Sequence, residues 1–282
     1  MPSFLRCYGI SKHHDSKDYI IVLEAAQMGS LRENLYSISL MEWKDKLSFL
    51  HCIASDLQAM HSQNYIQRDL HSGNILQETL QSARIANLGL SVLASRSLKI
   101  TPNDVYGILP YIPPEVLRNQ PYTTASDIYS FGIIMWEILF GIPITRVYAI
   151  FHERFGSQLE IQVAFNGLRP PIHENIKICY IDLMKRCWEN EPEKRPSAVE
   201  IYETFAKWQN DMKILFEFTE YNAKIKQQSN RIDNMINNNK VNCANEIYSD
   251  QFISHTIFQS TIDNSESESK NFIINFEEFN FI

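Results

Sequence analysis

The sequence predicts an α+β fold that is mainly α-helical and opens with a small two-strand unit. Three observations carry this. Two short apolar runs, Phe4 to Ile10 and Tyr19 to Glu24, stand near the start. Apolar residues then recur at three and four from Met41 to His61. Ser126 to Gly141 is apolar nearly all round, the pattern of a helix buried in a core.

The two early runs flank the polar stretch SKHHDSKD and read as strands joined by a long turn. His13, His14 and Asp15 lie in that turn, where a solvated loop is favoured over a metal site, because zinc needs three or four convergent ligands. Gly29-Ser30 opens a helix, with Ser30 and Glu33 at capping-box spacing. A longer helix follows, its stripe formed by Leu47, Leu50, Ile53, Ala54, Leu57 and Met60. Residues 64 to 122 break the helical rhythm until the apolar helix at Ser126. A loop and the stretch Leu159 to Phe165 come next, then helices over Ile176 to Glu189 and Ala198 to Trp208, the second with Ser197 and Glu200 at its cap. From Lys213 onward Asn, Gln, Ser and acidic residues dominate, with biased tracts at Asn237 to Asn239 and Ser265 to Ser269. That composition predicts a disordered or weakly helical tail. The expected organisation is a strand unit over 1–24, a helical body over 25–212 and the tail over 213–282.

With 282 residues, 44% of them hydrophobic, the chain can bury a substantial core. Its formal charge of -7 argues against a basic face for nucleic acid or acidic lipid. Five cysteines (Cys7, Cys52, Cys179, Cys187 and Cys243) form no CxxC pair, which suits reduced thiols in an intracellular compartment. The start is too weakly apolar for a signal peptide. The longest greasy run, Phe131 to Ile142, is interrupted by Glu137 and falls short of a membrane span. A cytoplasmic or nuclear protein without membrane insertion is expected, cytoplasmic above all.

The stretch Ile66-Gln67-Arg68-Asp69-Leu70-His71-Ser72-Gly73-Asn74-Ile75-Leu76 resembles the H-R-D-L-x-x-x-N catalytic loop of protein kinases. Alone, an R-D with an asparagine five residues on would arise by chance; its sequels in order give it weight. Asn87-Leu88-Gly89 stands where D-F-G is expected and Pro113-Pro114-Glu115 where A-P-E is expected. Ser126-Asp127 through Gly132 matches the start of the family's buried helix, and Cys187-Trp188 and Lys194-Arg195-Pro196 match the close of the lobe. The chain resembles the protein kinase superfamily, closest to its tyrosine-kinase-like branch, over about Phe4 to Trp208. This implies a kinase-like fold, mainly the α-helical large lobe, with a two-strand remnant (strands 4 and 5) of the small-lobe sheet.

The resemblance carries roles onto residues. Asp69 would accept the proton of a substrate hydroxyl and Asn74 would hold a magnesium ion. Arg68 would bind a phosphorylated residue of the following segment, for which Ser91, Ser95, Ser97, Thr101 and Tyr106 are candidates, with solvated hydroxyls the alternative. Leu23 aligns with the gatekeeper, Glu24 to Ala26 with the hinge that reads adenine, and Leu76 with the adenine floor. Glu115 and Arg195 align with a buried structural ion pair, and Asp127 with the carboxylate that braces the catalytic loop. ATP and Mg2+ would be the cofactors, and proteins the substrates or partners.

The departures concern phosphate and metal. Among nine glycines the closest two, Gly132 and Gly141, are nine apart, so there is no G-x-G-x-x-G loop. No lysine before Asp69 has a strand context: Lys12 and Lys17 are assigned to the turn, Lys44 and Lys46 to the long helix. Asn87 puts a neutral amide where the magnesium-binding aspartate belongs. Two unit charges about 4 Å apart are worth roughly 4 kcal/mol at an effective dielectric near 20, so losing even half of that slows transfer more than tenfold. Gln67 replaces the motif histidine and Leu88 the phenylalanine. His71 and Ile108 leave serine/threonine against tyrosine specificity open. The expectation is a catalytically impaired pseudokinase or truncated kinase acting in signalling by protein interaction. The alternatives are an active enzyme whose small lobe is missing from the gene model, and a chain whose open strand edges keep it from folding alone.

Overall fold

The protein is described by a computed structural model over residues 7–12, 19–79, 81–88, 91–94, 107–176 and 178–238. Phe4, the His13-His14-Asp15 cluster, Lys17, Gly89, four of the candidate phosphorylation sites (Ser95, Ser97, Thr101 and Tyr106), Cys243 and the Ser265 to Ser269 tract lie outside these residues.

Strands β1 (Cys7–Lys12) and β2 (Tyr19–Leu23) pair antiparallel, with Lys12 opposite Tyr19. Lys12 therefore closes a strand rather than belonging to the turn, which corrects the sequence reading. Ile10, Ile20 and Val22 are exposed on this ribbon.

Helix α1 (Leu31–Ser39) starts as its cap predicts: the Ser30 hydroxyl accepts the Glu33 N–H and Glu33 accepts the Ser30 N–H. In α2 (Trp43–Ser62) the whole predicted stripe from Leu47 to Met60 is buried. Two further short strand pairs complete the sheets among the described residues. β3 (Tyr65–Ile66) pairs with β6 (Val92–Leu93), and β4 (Ile75–Thr79) with β5 (Ser82–Ile85), both antiparallel like β1 and β2.

After the short α3 (Pro114–Leu117), α4 (Thr124–Phe140) runs through the middle of the helical body, every residue from Ser126 to Phe140 buried. It stops at Gly141, whose φ of 72° is left-handed. A side chain there would also collide with α1, because a Cβ would lie 2.5 Å from Ser39 Oγ. No single described helix is long and apolar enough to cross a membrane.

Two corrections concern helices that composition concealed. Residues 144–155, read as a loop, form α5 (Ile144–Phe155), with Ile144, Val147, Tyr148 and Phe151 buried at helical spacing. Next come α6 (Leu159–Ala164), α7 (Cys179–Cys187) and α8 (Ala198–Trp208), the last as predicted. The Ser197 cap is only half a box, because Glu200 turns to Arg186.

The polar tail is not disordered where it begins. It forms α9 (Met212–Glu220) and α10 (Asn222–Asn238), both packed on the body. Phe218 is fully buried and its ring lies 4.6 Å from Trp43, 6.3 Å from Tyr180 and 5.6 Å from Trp208. In α10, Ile225, Gln228, Ile232 and Ile236 are buried. The Gln228 side chain accepts the His173 N–H and donates to the Pro171 carbonyl, while Asp233 pairs with Arg146.

Phe218→Ala should lower stability to urea by about 3 to 5 kcal/mol, as for other buried Phe truncations. The exposed neighbour exchange Thr219→Ala should stay within about 0.5 kcal/mol.

Candidate functional site

The site is built on α4. Asp127, in its first turn and 1% exposed, accepts the N–H of Gln67 at 2.9 Å and of Arg68 at 3.0 Å, and faces His61 Nε2 at 2.9 Å. These bonds hold Arg68 at φ 70°, a left-handed conformation that costs a non-glycine residue about 1 to 2 kcal/mol. Gln67, fully buried, uses its amide at both ends. Nε2 donates to the carbonyls of Ala86 at 3.1 Å and Asn87 at 3.2 Å, and Oε1 accepts the Asp69 N–H at 2.7 Å. The glutamine in place of the motif histidine thus ties the loop to the segment that carries Asn87.

The β4–β5 hairpin sets the opposite wall. Ile75 lies across from Ile85, and the Ala86 N–H donates to the Asn74 carbonyl at 2.8 Å, so Asn87 emerges beside Asn74. Asp56 of α2 anchors β5 by accepting the Ile85 N–H at 3.1 Å; burial raises its carboxyl to about 6.

These elements bring Asp69, Asn74 and Asn87 together. Asn74 Nδ2 donates to the Asp69 carbonyl at 2.8 Å and to Asp69 Oδ2 at 2.9 Å, and Asn87 Nδ2 reaches the same Oδ2 at 3.4 Å. His71 Nε2 faces Oδ1 at 3.7 Å. His71 Nδ1 accepts the Gly73 N–H, which leaves the proton on Nε2. Burial, then the charge of Arg32, holds this imidazole down at about 3, so it is neutral. Two amide groups thus donate to Asp69 Oδ2, and the His71 ring faces Oδ1 from farther away. His71 was not singled out as a site residue; its position two after Asp69 was the available signal.

The residues aligned with a nucleotide site follow β2 and lie on β4. Leu23 ends β2, followed by exposed Glu24 and half-buried Ala26. Met28 N–H donates to the Gln77 carbonyl and Gln77 N–H to the Gly29 carbonyl, which clamps β4 against the hinge and sets half-buried Leu76 opposite Ser30. The Arg68 guanidinium lies 5.0 Å from the Tyr122 ring, and its Nε is buried without a hydrogen bond among the described residues.

Glu115 and Arg195 form a bidentate pair, both contacts at 2.7 Å, and Arg195 also donates to the carbonyls of Ala125 and Glu189. A second buried network escaped the sequence reading. Ser72 bonds Tyr111 at 3.0 Å, whose hydroxyl donates to Glu137 Oε1 at 2.8 Å, and the Ile144 N–H donates to the same oxygen. Burial lifts Glu137 to about 7. A carboxylate interrupting the apolar run Phe131 to Ile142 was its signal.

The residues present do not fit magnesium. That ion takes oxygen ligands, typically from one or two carboxylates, whereas Asn74 and Asn87 both turn their NH2 groups toward the single carboxylate. Among the described residues no three His, Cys, Asp or Glu side chains gather to hold a metal.

A family model described as protein tyrosine and serine/threonine kinase matches residues 1–205. "Probable serine/threonine-protein kinase roco5" of Dictyostelium discoideum is 34% identical over 191 residues, 64% of this chain and 7% of that protein. "Serine/threonine/tyrosine-protein kinase HT1" of Arabidopsis thaliana is 29% identical over 222 residues, 77% of this chain and 54% of that protein. A LIM domain-containing serine/threonine-protein kinase of Dictyostelium discoideum is 33% identical over 208 residues, 73% of this chain and 30% of that protein. The chain therefore spans about half or less of the length of these relatives.

Removing one partner of the buried pair, as in Glu115→Ala, should cost about 3 to 5 kcal/mol in chemical denaturation, because Arg195 is left charged and unpaired. The two buried titrating groups should act in opposite directions on stability. His71 is neutral when folded, so the unfolded chain takes up its proton first and stability falls as pH drops from 6.5 toward 3. Glu137 is raised, so its contribution is present below 4.5 and lost as pH rises through about 7. Melting curves against pH should show His71→Gln less sensitive to acid than the wild type, and Glu137→Gln lacking the decline toward neutrality.

Proposed function

This chain belongs to the protein tyrosine and serine/threonine kinase family, and on that premise we propose that it is a catalytically impaired, kinase-like module of the tyrosine-kinase-like branch that acts in signalling by binding other proteins. The observation that carries this reading is Asn87: a neutral amide, turned toward Asp69, occupies the position of the family's metal-binding carboxylate. In this family catalysis rests almost wholly on positioning and on metal electrostatics, so a scaffold that keeps Asp69 and Asn74 without that carboxylate keeps the shape of the site and loses its driving force. The module works inside the cell, and its partners are proteins rather than nucleic acid, as its acidic balance suggests. Adenine binding is assigned to the Glu24–Ala26 backbone and Leu76. Arg68, whose Nε has no hydrogen bond among the described residues, is assigned to a phosphorylated residue between Asn87 and Glu115, with Ser91, Ser95, Ser97, Thr101 and Tyr106 the candidates.

A second reading is an active protein kinase whose small lobe lies outside this sequence. The intact geometry around Asp69, Asn74 and Asp127 favours it.

Thermal-shift titration separates the two. The impaired module should respond to ATP equally with and without Mg2+, or not at all, and should label a generic protein substrate no faster than Asp69→Asn. A Mg2+-dependent shift with Asp69-dependent labelling would establish the active enzyme instead.

A further inference from the structure

We propose that Asn87 stands in for a divalent cation as the electrostatic partner of Asp69, so that this loop is held in its folded geometry without metal, and that the single exchange Asn87→Asp makes the site cation-dependent. The proposal rests on the kinase-family reading only for the expectation that a carboxylate belongs at position 87; its physical content is local.

Asp69 is 8% exposed, so little water is available to stabilise its charge. Asn74 and Asn87 both donate to Oδ2 and neutral His71 faces Oδ1. A carboxylate at position 87 would replace a donor 3.4 Å from Oδ2 with a like charge at the same distance. Its backbone is held in place. Gln67 holds the residue 87 carbonyl at 3.2 Å, and the Ala86 N–H is bound to Asn74. Nor would the backbone object: Asn87 has φ 53°, a left-handed conformation that Asn and Asp both favour over other residues. Two carboxylates fixed this close need a proton or a cation between them. With that pair in place, rotating the Asn74 amide would offer an oxygen and complete a set of ligands that Mg2+ or Mn2+ accepts together with water. The wild-type residue removes both the repulsion and the reason for an ion.

The test uses the full chain as wild type, Asn87→Asp and Asn87→Ala, melted in EDTA and in millimolar Mg2+ or Mn2+, with Mn2+ binding followed by electron paramagnetic resonance. The wild type should melt at the same temperature in both conditions and leave Mn2+ free. Asn87→Asp should melt about 3 to 6 °C lower in EDTA, recover most of the loss in Mg2+ and bind Mn2+. Asn87→Ala, which removes the donor without adding charge, should lose a smaller amount and ignore metal. A wild type that binds Mn2+ or gains stability from Mg2+ overturns the proposal, as does an Asn87→Asp protein that melts like the wild type in EDTA and takes no Mn2+. If Asn87→Asp does not fold in either condition, the wild-type resonance signal and the Asn87→Ala melt decide. None of these readouts uses nucleotide or phosphate transfer, so wild-type Mn2+ binding would sink this proposal and leave the family reading standing, whereas failure of the nucleotide titration would do the reverse.

Discussion

The site depends on one buried carboxylate. Asp127 belongs to the most deeply buried helix, α4, and its two oxygens receive the backbone N–H groups of Gln67 and Arg68. Both contacts are needed at once, because Arg68 is in a left-handed conformation that the chain would not keep unaided. A helix packed on all sides is thereby tied to a loop whose Ile66 and Leu70 are themselves buried in the core. His61, at the end of α2, bonds the same carboxylate and joins the second long helix to the arrangement. Asp69 follows directly on the two residues whose N–H groups are fixed to α4.

From that anchor the order of elements follows. Gln67 reaches across to the carbonyls at 86 and 87, and β4 and β5 meet edge to edge, so the loop after β5 returns to the loop before β4. Two segments separated by more than ten residues in the chain become adjacent walls of one small site. Within it Asn74 and Asn87 both donate to Asp69 Oδ2, and the His71 ring faces Oδ1.

Much of the architecture was legible in sequence because it rests on short-range pattern. The capping pair Ser30 and Glu33, the stripe from Leu47 to Met60 and the all-round apolar α4 each state their structure within one or a few turns. The gathering of Asp69, Asn74 and Asn87 was legible only through the family resemblance, since no local pattern brings residues 74 and 87 together. What stayed hidden has physical causes. α10 contributes only Ile225, Ile232 and Ile236 to the apolar core, with Gln228 completing the buried face by hydrogen bonds rather than by burial of apolar surface. An Asn- and Gln-rich composition therefore masked a helix whose stability comes from docking. α5 was lost because a proline and a glycine precede it and invite a loop reading, although its apolar spacing is helical. The Tyr111–Glu137 network joins residues 26 apart and has no signature except an acid where an apolar residue was due.

The presence of a kinase residue is informative about activity only where the fold does not also require it. Glu115 and Arg195 neutralise one another in the core, and Asp127 holds the loop backbone, so each would be demanded of an inactive scaffold as much as of an enzyme. Asn74 belongs in the same class, because its amide bonds the Asp69 main-chain carbonyl as well as the carboxylate. Even Asp69 has a structural part, as the acceptor on which both amides converge. Position 87 is different. Its left-handed backbone suits Asn and Asp alike, and the bond from Gln67 goes to its carbonyl, which every residue possesses. The backbone there admits amide and acid alike, but their charges differ: an acid would face Asp69 as a like charge, whereas the amide donates to it. Position 87 is therefore where the demands of stability and of metal chemistry part, and the amide serves the first without a cation.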